Sequence, residues 1–243
     1  MKDNSLIIIP TYNEAENIIV LINMIFSLDD CHSILVVDDN SPDGTSSIVR
    51  KLKKDYEDKL FLIIREKKDG LGSAYKEGFK WAIKKNYSFI FEMDADLSHD
   101  PNEIKKLKRM LVNGECDVAI GSRYLEGVSV VNWPLSRIFL SYSANIYVRL
   151  ITCMPLKDST SGFVGYNIEA LSSLDINKIK FNGYAFQIEM KFKLWEKKFK
   201  LKEHQIIFVN REHGDSKMNK NIIFEAIIGV IKLKLTSIFK INE

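Results

Sequence analysis

Cysteine is scarce in this chain. The three residues Cys31, Cys116 and Cys153 are odd in number, far apart and in no CxxC pair. Neither a disulfide framework nor a thiolate zinc site is expected, and a reduced, cytosolic compartment is. Charge of one sign is missing too: 35 basic against 32 acidic side chains leave a net +3, too balanced for nucleic-acid binding through bulk charge. The sequence contains no run of about 20 uninterrupted apolar residues of the kind that spans a bilayer. The apolar run near the amino terminus meets Pro10 at once, too early for a signal peptide. The turn after the first apolar run has no glycine, so the GxGxxG dinucleotide fingerprint is absent, and DGLGSAY (Asp69 to Tyr75) lacks the lysine and hydroxyl that close a P-loop. No GxSxG elbow occurs, and His32, His99, His204 and His213 form no i, i+4 pair for zinc. Internal repeats and low-complexity linkers are absent as well.

What remains is an ordinary globular composition, 46% hydrophobic and 28% charged over 243 residues, enough for one sizeable core. Short β-branched runs recur: SLIIIP, SILVVDD, LFLIIRE, FIFEMDAD and DVAIGS. Helical segments such as EAENIIVLINMIFSL, GTSSIVRKLKKDY and GSAYKEGFKWAIKK separate them. Near-continuous apolar strands alternating with helices describe an α/β fold, a mostly parallel sheet covered on both faces. In such sheets ligands bind beyond the carboxyl ends of the strands.

Unusual chemistry gathers at those ends. The first strand runs into PTYNE (Pro10 to Glu14), the second into VVDDNSPDGT (Val36 to Thr45), a later one into EMDADLSH (Glu92 to His99). A parallel sheet brings Asp38, Asp39, Asp94 and Asp96 to one rim, where mutual repulsion calls for a cation. In Asp94-Ala95-Asp96 an extended backbone points both carboxylates the same way, an arrangement suited to Mg²⁺ or Mn²⁺ together with phosphate oxygens and water. A divalent ion held there would clamp a diphosphate leaving group.

Beyond GSRY (residues 121–124) the strand and helix rhythm loosens. EGVSVVNWPLSR (Glu126 to Arg137) reads as a loop leading into the helix SRIFLSYSANIYVRLI. DSTSGFVGYN, FNGYAFQIEMKFKLW (Phe181 to Trp195) and a strand over HQIIFVNRE (His204 to Glu212) follow. Arg123, Arg137, Arg211 and Lys217, each singly the stuff of a surface ion pair, together suit a phosphate site, since arginine grips phosphate in bidentate fashion. Residues 221–242 mix Ile, Leu and Phe with Glu225, Lys232, Lys234 and Lys240. That helix is expected to lie on a membrane surface, on a partner subunit or on its own domain.

Taken in order, PTYNEAENI, VVDDNSPDGT, GLGSAYKEGF, MDADLSHDP, GSRY, NWPLSR, YAFQIEM and REHGDSKM resemble the polyprenol-phosphate mannosyltransferases of the inverting glycosyltransferase family 2, which has the GT-A fold, over roughly residues 5–220. The resemblance implies a GT-A domain over 1–218, divided into a nucleotide-sugar half (1–125) and an acceptor half (126–218), and an amphipathic helix over 219–243. Pro10, Tyr12, Glu14, Val37, Asp38, Asp39, Asp94, Ala95 and Lys217 are implied in nucleotide-sugar binding, and Asp94 and Asp96 in holding Mg²⁺ or Mn²⁺. Asp96, Arg123, Arg137 and Arg211 are implied in catalysis. Arg123, Arg137, Ser141 and Arg211 are implied in binding the lipid phosphate. The implied reaction moves mannose from GDP-mannose to a polyprenyl monophosphate with inversion. The implied setting is the cytoplasmic face of a membrane, reached peripherally or through a small membrane anchor protein, with no nucleic-acid partner. Ser98 stands where some relatives place a Gln metal ligand, and Val164 where many place an arginine. Two alternatives stand beside this expectation: a UDP-glucose or UDP-amino sugar donor with the same acceptor, and a noncatalytic nucleotide-sugar binding subunit.

Overall fold

A computed structural model describes residues 4–28, 32–183, 185–210 and 220–239, with side chains described in all but 220–226 of these. Along the chain the strands are β1 (Ser5–Thr11), β2 (His32–Asp38), β3 (Leu60–Ile64), β4 (Phe89–Glu92), β5 (Val118–Ser122), β6 (Val130–Val131), β7 (Val164–Asn167), β8 (Leu201–Gln205) and β9 (Phe208–Val209). The helices are α1 (Ala15–Phe26), α2 (Thr45–Leu52), α3 (Leu71–Lys84), α4 (Glu103–Val112), α5 (Leu135–Thr152), α6 (Ile168–Ser172), α7 (Ala185–Glu196) and α8 (Lys220–Phe239), with a 3₁₀ turn at Ile176–Lys178.

Seven strands form one sheet in the order β3-β2-β1-β4-β7-β5-β8, and β6 pairs with β9 apart from it. All pairings in the large sheet are parallel except those of β7, which runs antiparallel to both β4 and β5. Because successive side chains of a strand leave by opposite faces, Leu6 and Ile8 of β1 join the core under α3 and α7, while Ile7 and Ile9 join the core under α1 and α4. Both sets are fully buried. Each such side chain contributes about 1.5–3 kcal/mol, and the unbroken apolar runs are the sequence trace of this two-sided burial.

Register brings the tips of β1, β2 and β3 level, while β4 ends three residues earlier along β1. Thr11 pairs with Asp38, Asp38 with Ile64, and Ile8 with Glu92. Asp43 then ties the first two crossovers together: one carboxylate oxygen accepts from the N–H of Thr45 (3.0 Å) at the start of α2, the other from the N–H of Ala15 (3.0 Å) at the start of α1. Burial opposes ionisation there, but these bonds and the Thr45 hydroxyl hold the Asp43 carboxyl below its ordinary range.

The structure corrects the sequence reading at two elements. The segment read as one strand over 204–212 divides: β8 ends at Gln205 on the main sheet, and β9 leaves it to pair with β6, so Ile206 donates to Ser122 O while Phe208 donates to Ser129 O. The strand β7 was not anticipated, since VGYN has one β-branched residue and a glycine. It forms because Gly165 lets the chain lie against the Phe91 ring, where an added Cβ would come within 2.5 Å of a ring carbon. The insertion of β7 between β4 and β5 carries one sheet through both expected halves of the domain.

The helix α8 rests on its own domain, against α5 and α7. Val230 and Leu233 are buried, Tyr147 of α5 donates to Ile227 O at 2.9 Å, and Lys234 reaches Thr152 O at 3.4 Å. The opposite side of the helix leaves Ile227, Ile231, Leu235, Ile238 and Phe239 exposed.

Replacing Gly165 by alanine forces a methyl into the Phe91 ring and is expected to destabilise the fold by about 1–3 kcal/mol. Urea unfolding followed by circular dichroism measures it, and a midpoint equal to wild type would show that the β4–β7 contact yields without cost.

Candidate active site at the carboxyl ends of the strands

At the first rim, Asp38 is fully buried and serves the loops: Thr11 Oγ1 (2.7 Å) and Ser41 Oγ (2.6 Å) donate to its Oδ1, and the Ser41 N–H (2.9 Å) to its Oδ2. Its neighbour Asp39 faces outward along the rim to Arg65, which follows β3. Arg65 Nη1 lies 2.7 Å from Asp39 Oδ1, and Nη2 donates to Ser73 Oγ at 2.7 Å. Burial pushes the Asp39 carboxyl above its usual range, with Arg65 opposing the shift. Tyr12 and Glu14 sit in the same rim: Lys68 Nζ lies 3.9 Å over the Tyr12 ring, and Glu14 accepts from Asn17 Nδ2 at 2.9 Å. Pro10 and Val37 are paired neighbours in β1 and β2, Val37 fully buried.

The acidic turn leaves β4 directly. Asp96 is buried with Oδ1 held by the Ser98 hydroxyl (2.6 Å) and N–H (3.2 Å), a compact turn closed by Leu97 at φ 60°. Ser98, where some relatives carry Gln, thus braces the aspartate. The Asp94 N–H is directed at His99 Nδ1 at 3.5 Å. Burial pushes His99 down to about 4, so the ring is neutral near pH 7 and can accept at Nδ1. The Asp94 carboxylate lies over Gly162, where a built Cβ would stand 3.7 and 3.8 Å from its two oxygens and 3.9 Å from Gln187 Nε2. Ala95, between the two aspartates, is buried.

Beneath this turn lies a layer of buried polar groups that the sequence reading did not single out. Glu92, the last residue of β4, accepts from Tyr166 Oη at 2.9 Å and is in close contact with Gln187 Nε2. Lys191, one turn along α7, donates to Ser161 O (2.7 Å) and Gln187 Oε1 (3.1 Å). Desolvation moves both ionisable groups toward neutrality, Glu92 up to about 7 and Lys191 down to about 8, while their mutual attraction limits each shift. The signal for this layer was the motif YAFQIEM and the Lys191 that follows it: Gln187 and Lys191, one helical turn apart, face the core together.

The basic residues lie on the far side of the acidic turn. Arg123, just past β5, forms a side-on pair with fully buried Asp158: Nε to Oδ2 and Nη2 to Oδ1, both 2.7 Å. Nη2 also reaches Thr160 Oγ1 at 2.8 Å. Burial would raise the Asp158 carboxyl, but the Arg123 charge and hydrogen bonds outweigh it and hold the group below its ordinary range. Arg137, in the first turn of α5, donates to Asn210 Oδ1 at 2.9 Å and stacks on Trp133 with its guanidinium 3.9 Å from the ring centroid. The Arg123 guanidinium lies 5.7 Å from that same ring. Ser141 follows Arg137 by one turn of α5. Arg211 and Lys217, with the expected boundary at residue 218, lie outside the described residues. Val164 is buried opposite Glu92 in the β4–β7 register.

One aromatic wall joins the two charge sets. His99 stacks on Phe163 (4.9 Å) and meets Phe208 edge-on (5.2 Å); Phe208 meets Trp133 (5.3 Å) and lies 5.6 Å from the Arg123 guanidinium. The acidic turn is at one end of this wall and the guanidiniums are at the other. Among the described residues no group of three or more His, Cys, Asp or Glu side chains is placed to hold a metal ion. The hard oxygen donors Asp94 and Asp96 fit a divalent cation that completes its shell with phosphate oxygens and water.

The model of the family described as Glycosyl transferase family 2 matches residues 6–174. A polyprenol monophosphomannose synthase of Mycolicibacterium smegmatis is 40% identical over 226 residues, 93% of this chain and 85% of that protein. An undecaprenyl-phosphate mannosyltransferase of Micrococcus luteus is 36% identical over 232 residues, 96% of this chain and 94% of that protein. The fold is similar to that of glucosyl-3-phosphoglycerate synthase from Mycobacterium tuberculosis in its complex with Mn²⁺ and UDP-glucose. That likeness has a TM-score of 0.67 at 18% identity and covers 99% of this chain and 80% of that one.

Removing Arg65 leaves buried Asp39 without its nearest cation, so Arg65→Leu is expected to raise its pKa further and weaken binding of a nucleoside diphosphate by about tenfold. Calorimetric titration with GDP measures it, and an unchanged dissociation constant would show that Asp39 does not depend on Arg65.

Proposed function

The chain belongs to glycosyl transferase family 2, and on that premise we propose that it transfers mannose from GDP-mannose to a polyprenyl monophosphate with inversion, yielding polyprenyl phosphate β-mannose and GDP. The two relatives named above act, by their names, on polyprenyl phosphates with mannose, and they match nearly the whole chain. The observation that carries the reading is the aromatic wall of His99, Phe208 and Trp133, with Asp94 and Asp96 at one end and Arg123 and Arg137 at the other. In this reading a diphosphate and a monophosphate would lie side by side along it.

In this reading the loops after β1, β2 and β3 hold the nucleotide, with Asp39 braced by Arg65. Asp94 and Asp96 would hold Mg²⁺ or Mn²⁺, which when bound neutralises charge on the departing diphosphate. Arg123 and Arg137 orient the acceptor phosphate through N–H donors, joined by Ser141 and Arg211. An oxygen of that phosphate attacks the anomeric carbon as the bond from that carbon to the diphosphate oxygen breaks, which inverts the centre. The attacking oxygen is already anionic near neutral pH, so no proton has to be removed from it. Holding the two anions in line against their repulsion is the main task, and fixed donors serve it.

The acceptor's hydrocarbon chain calls for a membrane surface, and the protein presents a matching one. Along α5, Leu135, Phe139 and Leu150 are 83%, 75% and 72% exposed, and α8 alongside adds Ile231, Leu235, Ile238 and Phe239. No described helix is long and apolar enough to cross a membrane. We therefore read the enzyme as peripheral on the cytoplasmic face, with α5 and α8 against the lipid and Arg137 at headgroup depth. Burying several such side chains contributes about 1.5–3 kcal/mol each, and neighbouring lysines add attraction to anionic lipid. A small membrane anchor protein is the other occupant this face would accept.

Purified enzyme given GDP-mannose, Mn²⁺ or Mg²⁺ and a polyprenyl phosphate is expected to release GDP and form a mannolipid, while EDTA or Asp96→Ala lowers turnover at least about 100-fold. Turnover on UDP-sugars in place of GDP-mannose would overturn the donor. For the membrane reading, Leu135→Ser with Phe139→Ser is expected to reduce flotation with anionic vesicles at least about tenfold. Flotation equal to wild type would point to a protein anchor.

A further inference from the structure

The segment DSTSGF and the buried Asn145 have no part in the mechanism above, yet they enclose Arg123. Asp158 accepts from the Arg123 backbone N–H (2.9 Å) as well as from Nε and Nη2, so one carboxylate fixes both ends of that residue. The loop that carries Asp158 is itself pinned: the N–H groups of Lys157 and Asp158 donate to the two carboxylate oxygens of Glu203 on β8, both at 2.8 Å. Asn145 closes the arrangement from α5. Its Nδ2 donates to Thr160 Oγ1 (3.1 Å) and Asp158 Oδ1 (3.4 Å), and its Oδ1 accepts from Ser159 Oγ (2.9 Å) and the Thr160 N–H (3.2 Å). A buried amide on a helix that otherwise presents large apolar side chains outward is costly unless its hydrogen bonds are made, and here they are made.

We propose that Asp158, Thr160 and Asn145 are positioning residues for the acceptor phosphate, acting through Arg123: they hold the guanidinium in one orientation and couple it to the apolar helix α5. The proposal rests on reading Arg123 as a phosphate-binding residue. Arginine carries several rotatable bonds, and an unrestrained one would lose much of its fork geometry to motion. With Asp158 opposite, the pair has no net charge, so Arg123 serves by the direction of its N–H groups more than by its charge. The same buried network reaches α5, so the helix that meets the lipid and the guanidinium that meets its phosphate are held in fixed relation.

The test separates acceptor from donor. Asp158→Asn keeps the shape but removes the charge, and Thr160→Val removes one acceptor at a half-buried position and serves should the first variant fail to fold. In steady-state assays both are expected to raise KM for polyprenyl phosphate, by about tenfold and about threefold, with KM for GDP-mannose within about twofold of wild type. Arg123→Lys is expected to match the loss in Asp158→Asn, since lysine cannot make the side-on pair. An acceptor KM that stays put in folded Thr160→Val and Asp158→Asn, or acceptor and donor KM rising together, would overturn the positioning role. Wild-type enzyme inactive on GDP-mannose and polyprenyl phosphate would overturn the functional reading instead. In that case, titration of inorganic phosphate followed on the arginine Nε–H resonances still decides the positioning: a shift of Arg123 in wild type that weakens in Thr160→Val supports it, and equal shifts refute it.

Discussion

A charged side chain at the edge of an apolar sheet has to be compensated before it can serve a ligand, and this constraint shapes the rim of the molecule. Asp38 is spent on Thr11 and Ser41, Asp43 on the N-termini of two helices, and Asp96 on Ser98. Asp39 is balanced by Arg65, Asp158 by Arg123, and Glu92 sits among Tyr166, Gln187 and Lys191. An uncompensated buried carboxylate would take up a proton instead of remaining an anion. Each of these pairings therefore keeps the rim stiff and leaves its charge in a set direction.

That stiffness is what the proposed chemistry asks for. When donor and acceptor are both anions and the nucleophile is already deprotonated, the catalyst's contribution is placement and fixed dipoles more than proton transfer. The shifted groups near the site agree with this division of labour. Burial pushes His99 down to about 4, too weak a base for the task, and Glu92 is enclosed beneath the acidic turn, so neither serves as a general base toward the acceptor. The aromatic wall contributes a rigid spacing, since stacked rings set the distance between the acidic turn and the guanidiniums without adding charge.

The strands β1, β2 and β4, the helices between them and the convergence of their tips were legible in the sequence, because residues buried on both faces leave uninterrupted apolar runs whatever surrounds them. Asp94 and Asp96 were legible for the same reason: they stand where such a run stops. Other features were not. Gly165 and its neighbours carry little strand propensity of their own, and β7 exists because β4 and β5 flank it and Phe91 leaves room for no larger residue. The amphipathic character of 221–242 was visible, but whether it covered its own domain depended on where α5 and α7 stood. In the structure it does so with one side and leaves the other apolar.

Arg123 marks the boundary between the two kinds of information. Its place after an apolar strand, within GSRY, marked it as a residue that meets ligand. That its guanidinium is seated on Asp158, 35 positions along the chain, and through Asn145 on α5, belongs to tertiary structure alone. Sequence by itself determined the parallel strands β1, β2 and β4, the acidic turn and the family, since these rest on local pattern and motif order. Which partner compensates each charge was decided by the fold, because a pairing between residues distant along the chain depends on the directions in which packed elements present their side chains.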